Sequence, residues 1–336
     1  MLKILVAGGA GFIGSNFIKY VLKEYSNFDI LNLDALTYAG NLKNLVEIQD
    51  DPRYRFVKGD INNFDLVDSL IKECQCVINF AAESHVDRSI ENPNIFIKTN
   101  VLGTQTLLNC AIKNSVEKYI QISTDEVYGS IEGKGYFTES SILTPSSPYS
   151  ASKAAADLLA LSYYKTFDLP IIVTRCSNNY GPNQFPEKFL PLMLLNIIKN
   201  KKIPIYGDGL HIRDWIYVED HCSAIMDILL KGKVGEIYNI GANKEFQNLE
   251  LAKLLLKIMN KSENLIKFVP DRPGHDRRYA IDSSKIRNKL KWKPKISFDE
   301  GIKKTINWYR NNQDWINEVI SGEYKEYYER RYKTKI

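Results

Sequence analysis

Seven residues near the start of the chain, Gly8-Gly9-Ala10-Gly11-Phe12-Ile13-Gly14, constrain the fold more than any other feature. They follow a short apolar run, Ile4–Ala7, and open a stretch of helical periodicity. Gly8, Gly11 and Gly14 stand in Gly-x-x-Gly-x-x-Gly spacing. In such a loop the first glycine permits the tight turn and the second lets backbone N–H groups approach a pyrophosphate. The third allows the helix to pack closely on the strand, and the helix N-terminus attracts the phosphate charge. Asp34 stands 20 residues beyond Gly14, at the end of a second apolar run, Ile30–Leu33. A carboxylate there accepts hydrogen bonds from an adenosine 2′-hydroxyl and repels a 2′-phosphate, so the expected cofactor is NAD rather than NADP. Asp60, after a third run (Tyr54–Val57), is placed to reach the adenine. A structural turn with an ordinary helix cap accounts for the glycines but not for Asp34.

The same rhythm continues through Val77–Phe80, Tyr119–Ile122 and Ile171–Thr174, with helical patterns such as Ile97, Val101, Leu108, Ala111 and Ile112 between them. Alternating strands and helices predict an α/β fold, a Rossmann-like doubly wound parallel sheet covered on both faces. Near Tyr180-Gly181-Pro182 the rhythm breaks, and the second half is richer in helix, Pro and Arg. Its strand-like runs are Pro204–Tyr206, Trp215–Val218 and Glu236–Ile240. We expect a dinucleotide-binding domain over 1–180 and a smaller mixed α/β substrate domain over 181–336, with later segments returning to the first. The tail Glu323–Lys335, alternating Tyr with both charge signs, reads as a solvated helix end.

Composition narrows the function classes. Lys and Arg number 45 against 40 Asp and Glu, a net +5 spread along the chain, which argues against a nucleic-acid or membrane-surface partner. No run of about 18 uncharged apolar residues is present to span a bilayer. The N-terminus lacks a signal-peptide pattern. Five cysteines form an odd set without a Cys-x-x-Cys pair, and four histidines show no metal-ligand spacing. The expectation is a cytoplasmic protein without disulfides or a metal.

Tyr149-Ser-Ala-Ser-Lys153 places a phenol and an ammonium at i and i+4, on one helix face. A nearby Lys153 ammonium and the positive nicotinamide of NAD lower the phenol's pKa, so that it takes a proton from a substrate hydroxyl as hydride leaves the same carbon. Upstream, Gln121-Ile-Ser-Thr-Asp-Glu-Val-Tyr-Gly129 ends a strand in Ser123, Thr124, Asp125 and Glu126, at the edge where open parallel sheets bind ligands. Two adjacent carboxyls divide acid and base work when their pKa values are pushed apart. The sequence alone does not say which takes which role.

These stretches resemble the extended short-chain dehydrogenase/reductase family, and within it the sugar-nucleotide dehydratases. Ala81-Ala-Glu-Ser-His-Val-Asp-Arg-Ser89, Arg175-Cys-Ser-Asn-Asn-Tyr-Gly-Pro182, Tyr206-Gly-Asp-Gly-Leu-His-Ile-Arg-Asp-Trp215 and Arg272-Pro-Gly-His-Asp-Arg-Arg-Tyr-Ala-Ile-Asp282 carry the likeness to about Asp282. The resemblance implies Glu126 as base and Asp125 as acid, with Thr124 and Tyr149 on the reacting oxygen and Lys153 on the nicotinamide ribose. It also implies contacts to NAD from Phe12, Ile13, Thr37, Ile61, Ala81, Ala82, Thr99 and Asn179. For a dTDP-glucose substrate it implies Ser84, Asn178, Lys188, Pro204, Tyr206, Arg213, Asn248, Arg272, His275 and Tyr279. His85 reads as structural. The implied reaction oxidises C4, eliminates water across C5 and C6 and returns hydride to C6. A homodimer is implied too, with helices near 97–112 and 148–167 supplying apolar outer faces. The alternatives are a UDP-sugar 4-epimerase, a UDP-glucuronate decarboxylase and a non-catalytic NAD-binding regulator. The Asp125-Glu126 pair speaks against the epimerase, and the full Asp-Glu-Tyr-Lys set against the regulator.

Overall fold

Apolar runs become buried strands here because helices cover both faces of the sheet they build. The computed structural model describes residues 2–321 together with residue 326, so the tail expectation lies outside the described residues except at Glu326. In chain order the strands are β1 (Leu2–Ala7), β2 (Phe28–Asp34), β3 (Tyr54–Lys58), β4 (Cys76–Asn79), β5 (Lys118–Thr124) and β6 (Ile171–Cys176). There follow β7 (Asn178–Tyr180), β8 (Ile203–Tyr206), β9 (Ile212–Tyr217), β10 (Ile237–Ile240), β11 (Glu245–Gln247) and β12 (Ile266–Val269). Seven of them form one sheet in the order β10-β6-β5-β4-β1-β2-β3, and every pairing within it is parallel.

Along β1 the side chains divide between two cores. Ile4 and Val6 join the helices Phe12–Glu24 and Val218–Lys231, whereas Leu5 and Ala7 join Phe64–Ile71, Thr104–Lys113 and Pro148–Phe167. This is the period-2 alternation of a strand with both faces buried. From β1 the chain steps outward to β2 and β3, then returns across β1 to β4. The reversal opens a crevice beyond the carboxyl ends of β1 and β4, the usual ligand position in such sheets.

The second half supplies a three-stranded sheet (β11-β9-β7), a parallel pair (β12-β8) and a third core built on Phe189–Ile198, Asn248–Ile258 and Phe298–Asn311. Three strand expectations overrun the observed strands at one end. Val218 begins a helix rather than ending a strand, Phe80 lies beyond β4, and Glu236 precedes β10. The sequence reading missed β7, β11 and β12. The first two have three residues each and draw their stability from pairing with β9, so no apolar alternation marks them.

Candidate active site

The glycine loop takes the form its composition demands. Gly8 sits at φ +79°, and a Cβ there would lie 2.5 Å from the Ala81 nitrogen. A Cβ on Gly14 would meet the Gly8 carbonyl oxygen at 2.3 Å. At Gly11 the same atom would find only that carbonyl, at 3.4 Å, so this side of the loop is open to the cleft. Gly11 caps helix Phe12–Glu24 without a side-chain hydrogen bond. Asp34 holds the loop from the side, accepting from Ala10 N at 2.9 Å and Leu36 N at 2.8 Å. Burial raises its pKa, and those two N–H groups oppose the shift. A glycine turn that admits no Cβ, a free helix N-terminus and an anchored carboxylate together fit a dinucleotide.

The cleft is continuous. Its inner end is lined by Gly8, Gly11, Asp34, Thr37, Asp60, Ile61, Ala81, Ala82 and Thr99. Its middle is lined by Phe12, Ile13, Gly14, Ser84, Thr124, Asp125, Glu126, Tyr149, Lys153, Asn178, Asn179 and Lys188. Glu126, Asn178 and Lys188 also border the outer end, with Pro204, Tyr206, Arg213, Asn248, Arg272, His275 and Tyr279. Every site residue expected from the sequence therefore lies on one surface, drawn from the ends of β1 to β6, from the helical segments Ile97–Gly103 and Pro148–Phe167, and from the second half.

At the middle the two carboxyls sit in different surroundings. Asp125 is 2% exposed; its Oδ1 accepts from the Thr124 hydroxyl at 3.3 Å, and its Oδ2 has no partner. Burial, followed by the neighbouring Glu126 charge, pushes its pKa well above the carboxylate range. Glu126 is less enclosed. Burial raises its pKa too, but Arg272, Lys188 and Arg213 all pull it down. Burial and a like charge thus push Asp125 further toward its protonated form than Glu126, whose three cationic neighbours favour its charge. The helix carrying Tyr149 is capped by Ser147, whose hydroxyl accepts from Ser150 N at 3.1 Å, with Pro148 in its first turn. In the protein by itself, burial and then Glu126 raise the Tyr149 phenol well above its usual value, and the Thr124 hydroxyl beside it opposes the upward shift. Lys153 Nζ donates to the Ile122 carbonyl at 2.6 Å. The lowering expected from the sequence belongs to the site with NAD bound, where the nicotinamide charge joins Lys153.

The outer end is cationic and held by partners that the sequence reading missed. Asp87 accepts from Tyr206 Oη at 3.1 Å and lies 3.6 Å from Arg272. Asp276 accepts from Tyr279 Oη at 2.5 Å and from Ser146. Its carbonyl receives Arg213 at 2.9 Å, while the Arg213 guanidinium lies 4.1 Å over the Tyr279 ring. Lys188 reaches the Ser84 carbonyl. His85 Nε2 is 3.3 Å from the Glu187 carbonyl. Behind the site, Arg175 is buried on Asp157 at 2.9 Å and on Tyr128 Oη at 2.9 Å. Asp87 and Asp276 stand inside the quoted motifs, but no local signal distinguishes a carboxylate that holds an arginine or a tyrosine in place from one in solvent.

Comparison with known proteins agrees with this geometry. Residues 5–305 match a family profile described as GDP-mannose 4,6 dehydratase. A dTDP-glucose 4,6-dehydratase of Xanthomonas campestris is 46% identical over 96% of this chain and 97% of its own length. The crystal structure of dTDP-glucose 4,6-dehydratase from Bacillus anthracis in complex with NAD is 52% identical, covers 95% of this chain and all of its own, and superposes with a TM-score of 0.89. That of DesIV, the dTDP-glucose 4,6-dehydratase of Streptomyces venezuelae, also with NAD bound, is 46% identical, covers 94% and 98%, and gives 0.92. With its glycine cradle, paired carboxyls and Tyr149/Lys153 on one cleft, the chain belongs to the nucleotide-sugar 4,6-dehydratases of the extended short-chain dehydrogenase/reductase family.

Proposed function

We propose that the protein is an NAD-dependent hydro-lyase that converts dTDP-glucose to dTDP-4-dehydro-6-deoxyglucose. The observation that carries this reading is the Asp125-Glu126 pair, one carboxyl whose pKa burial pushes well up and the other with three cations near it, beside Tyr149. An epimerase moves hydride at C4 and needs no such pair.

NAD, held by the glycine loop, Asp34 and Lys153, supplies a reversible hydride acceptor, taking hydride from C4 and returning it to C6. Tyr149 takes the C4 hydroxyl proton while Thr124 hydrogen-bonds that oxygen. The resulting C4 carbonyl acidifies the C5 hydrogen, and Glu126 removes it. Asp125 gives its proton to the departing C6 hydroxyl, which leaves as water. Glu126 then returns the proton to C5. At the end of the turnover Tyr149 holds the proton of the C4 hydroxyl while Asp125 lacks the one that left in water, so Tyr149 releases a proton to solvent and Asp125 takes one up before the next turnover. The diphosphate meets Arg213, Arg272 and Lys188, whose guanidinium and ammonium groups suit phosphate oxygens. Tyr279, Tyr206, Pro204, Asn248 and His275 bound the nucleoside end.

The same reading includes a cytoplasmic homodimer. Five buried free thiols support a reducing compartment, and no helix among the described residues is long and apolar enough to cross a membrane. Ile97, Leu102 and Leu158 are 48–58% exposed on the helices near 97–112 and 148–167, the apolar faces a dimer needs. Leu158→Asp is expected to give monomers by analytical ultracentrifugation; an unchanged dimer would move the interface elsewhere. The activity itself is tested with dTDP-glucose deuterated at C4. The reading requires the label in the C6 methyl group of the same molecule, and it fails if the label is lost to solvent or stays at C4.

A further inference from the structure

The glycine loop is fixed from behind as well as from the side. Ala10 lies inside it, and both of its backbone groups are engaged. Its N–H meets Asp34 at 2.9 Å, and its carbonyl accepts from Asn41 N at 3.0 Å and from Asn44 Nδ2 at 2.9 Å. Asn44 is 3% exposed, on the short helical turn Leu42–Ile48 that follows β2. Its Oδ1 accepts from Trp315 Nε1 at 2.8 Å and from Asn183 Nδ2 at 3.1 Å. These partners settle which way the amide faces. An indole N–H only donates and a backbone carbonyl only accepts, so the oxygen must meet Trp315 and the nitrogen Ala10. Both outer partners come from the second half, 271 and 139 residues further along the chain. Trp315, on the helix Gln313–Val319, packs edge-on against Trp308 with ring centroids 4.9 Å apart. Asn183 follows β7 at φ +66°, and its own Oδ1 accepts from Lys19, on the helix that the glycine loop opens.

We propose that Asn44 is a positioning residue for the dinucleotide, and that Trp315 and Asn183 hold its amide to that task. This rests on NAD lying along the glycine loop. Asn44 is not among the residues that line the cleft, so it acts through Ala10. The C=O and the N–H of one planar trans peptide unit point in opposite directions. Tying the Ala10 oxygen to Asn44 therefore holds the Gly11 N–H on the Gly8 carbonyl, at 3.3 Å, and with it the start of helix Phe12–Glu24. The first N–H groups of that helix have no partner within it and are the ones that meet a pyrophosphate. Without the Asn44 amide this peptide is free to turn, and the phosphates lose donors in a fixed place. The Ala10 carbonyl keeps Asn41 N, so the loop loosens without collapsing. The fit of the NAD loop is thus set in part by a tryptophan on a C-terminal helix.

The test loads the protein with radiolabelled NAD, chases it with unlabelled NAD and follows release of the label, with a urea midpoint for each variant. Asn44→Asp keeps the acceptor for Trp315 and Asn183 but sets an oxygen against the Ala10 carbonyl, and release is expected to quicken by about tenfold or more. Trp315→Phe keeps an aromatic ring in the third core and loses the indole donor. Release then quickens by about threefold, because Asn183 still donates to Asn44. In an Asn44→Ala background the same Trp315→Phe change has no further effect, since its route to the loop is gone. Lys43→Met, which cuts the exposed pair with Glu318 on the same helix, leaves release at the parental rate. With excess NAD, kcat returns to within about twofold of the parent in every variant, as for a loss confined to binding. Unchanged release in Asn44→Asp, whatever its urea midpoint, overturns the proposal. So do multiplying effects in the double variant, or release from Lys43→Met as fast as from Trp315→Phe, because general docking of the helix would then hold the loop. A parent protein that retains no label overturns the cofactor reading itself. Only the kcat arm rests on the proposed activity, so the failures are distinguishable.

Discussion

Glu126→Gln tests the division of labour between the two carboxyls. The substitution keeps the side chain's shape and its neighbours Arg272, Lys188 and Arg213, but removes the basic lone pair and the charge. A positioned general base is worth about 10²–10⁴ in rate, or about 2.7–5.4 kcal/mol of activation free energy. The structure points to the upper part of that range. Asp125 cannot take over, because burial, the larger cause of its raised pKa, remains when Glu126 is neutral. We expect kcat to fall by about 10³-fold or more. The preceding oxidation should survive, since Glu126 is one of the charges that raise the Tyr149 phenol, and removing it eases loss of that proton. Rapid mixing with substrate should therefore show NADH accumulating on the protein, while mass spectrometry in deuterated water finds no label at C5. In the parent enzyme, activity falls as acid protonates Glu126, at a pH above the ordinary carboxylate range because its pKa is raised. The variant should lack that acid limb. C5 exchange at the parental rate, or a loss in kcat below tenfold, would refute the assignment.

Tyr149→Phe should slow single-turnover NADH formation by at least about 100-fold; an unchanged rate would remove the phenol from the oxidation. Asp34→Ala leaves Ala10 N and Leu36 N without their acceptor, a loss of about 1–3 kcal/mol. NAD retention through gel filtration should drop about 10- to 100-fold, with relaxed discrimination against NADP, and an unaltered NAD/NADP ratio argues against that contact. Asp157→Ala strands the Arg175 guanidinium, 2% exposed, in the interior. Breaking a buried pair of this kind costs about 3–5 kcal/mol, to be read from the urea midpoint. A change below about 1 kcal/mol would mean that Tyr128 and its hydrogen bond to Asn239 carry the arginine unaided.

The inner half of the cleft was legible because its determinants are local. Gly8, Gly11 and Gly14 act through backbone conformation and close approach within one turn, and Asp34 through its place at a strand end. The adjacency of Asp125 and Glu126, and the i, i+4 spacing of Tyr149 and Lys153, are likewise properties of the chain itself. The small strands were not legible: β7 and β11 are too short to show a period, and each is stabilised by β9, which lies well away from it in sequence. Arg213, Arg272, Asp87 and Asp276 all stand in quoted motifs, but the pairing of the arginines with the two aspartates was not legible, because it runs across 63 to 185 residues.

From the residues alone came the sheet, the dinucleotide loop and the set of groups able to move a hydride and two protons. Tertiary structure decided how those groups are charged. Desolvation depends on what encloses a carboxyl, and Coulomb energy on distance through space, so neither follows from position along the chain. Only folding encloses Asp125 more fully than its neighbour, gathers three cations around Glu126, and seats the Lys153 ammonium on the Ile122 carbonyl. The same folding brings Trp315 to Asn44 behind the glycine loop, an arrangement that no spacing in the sequence announces.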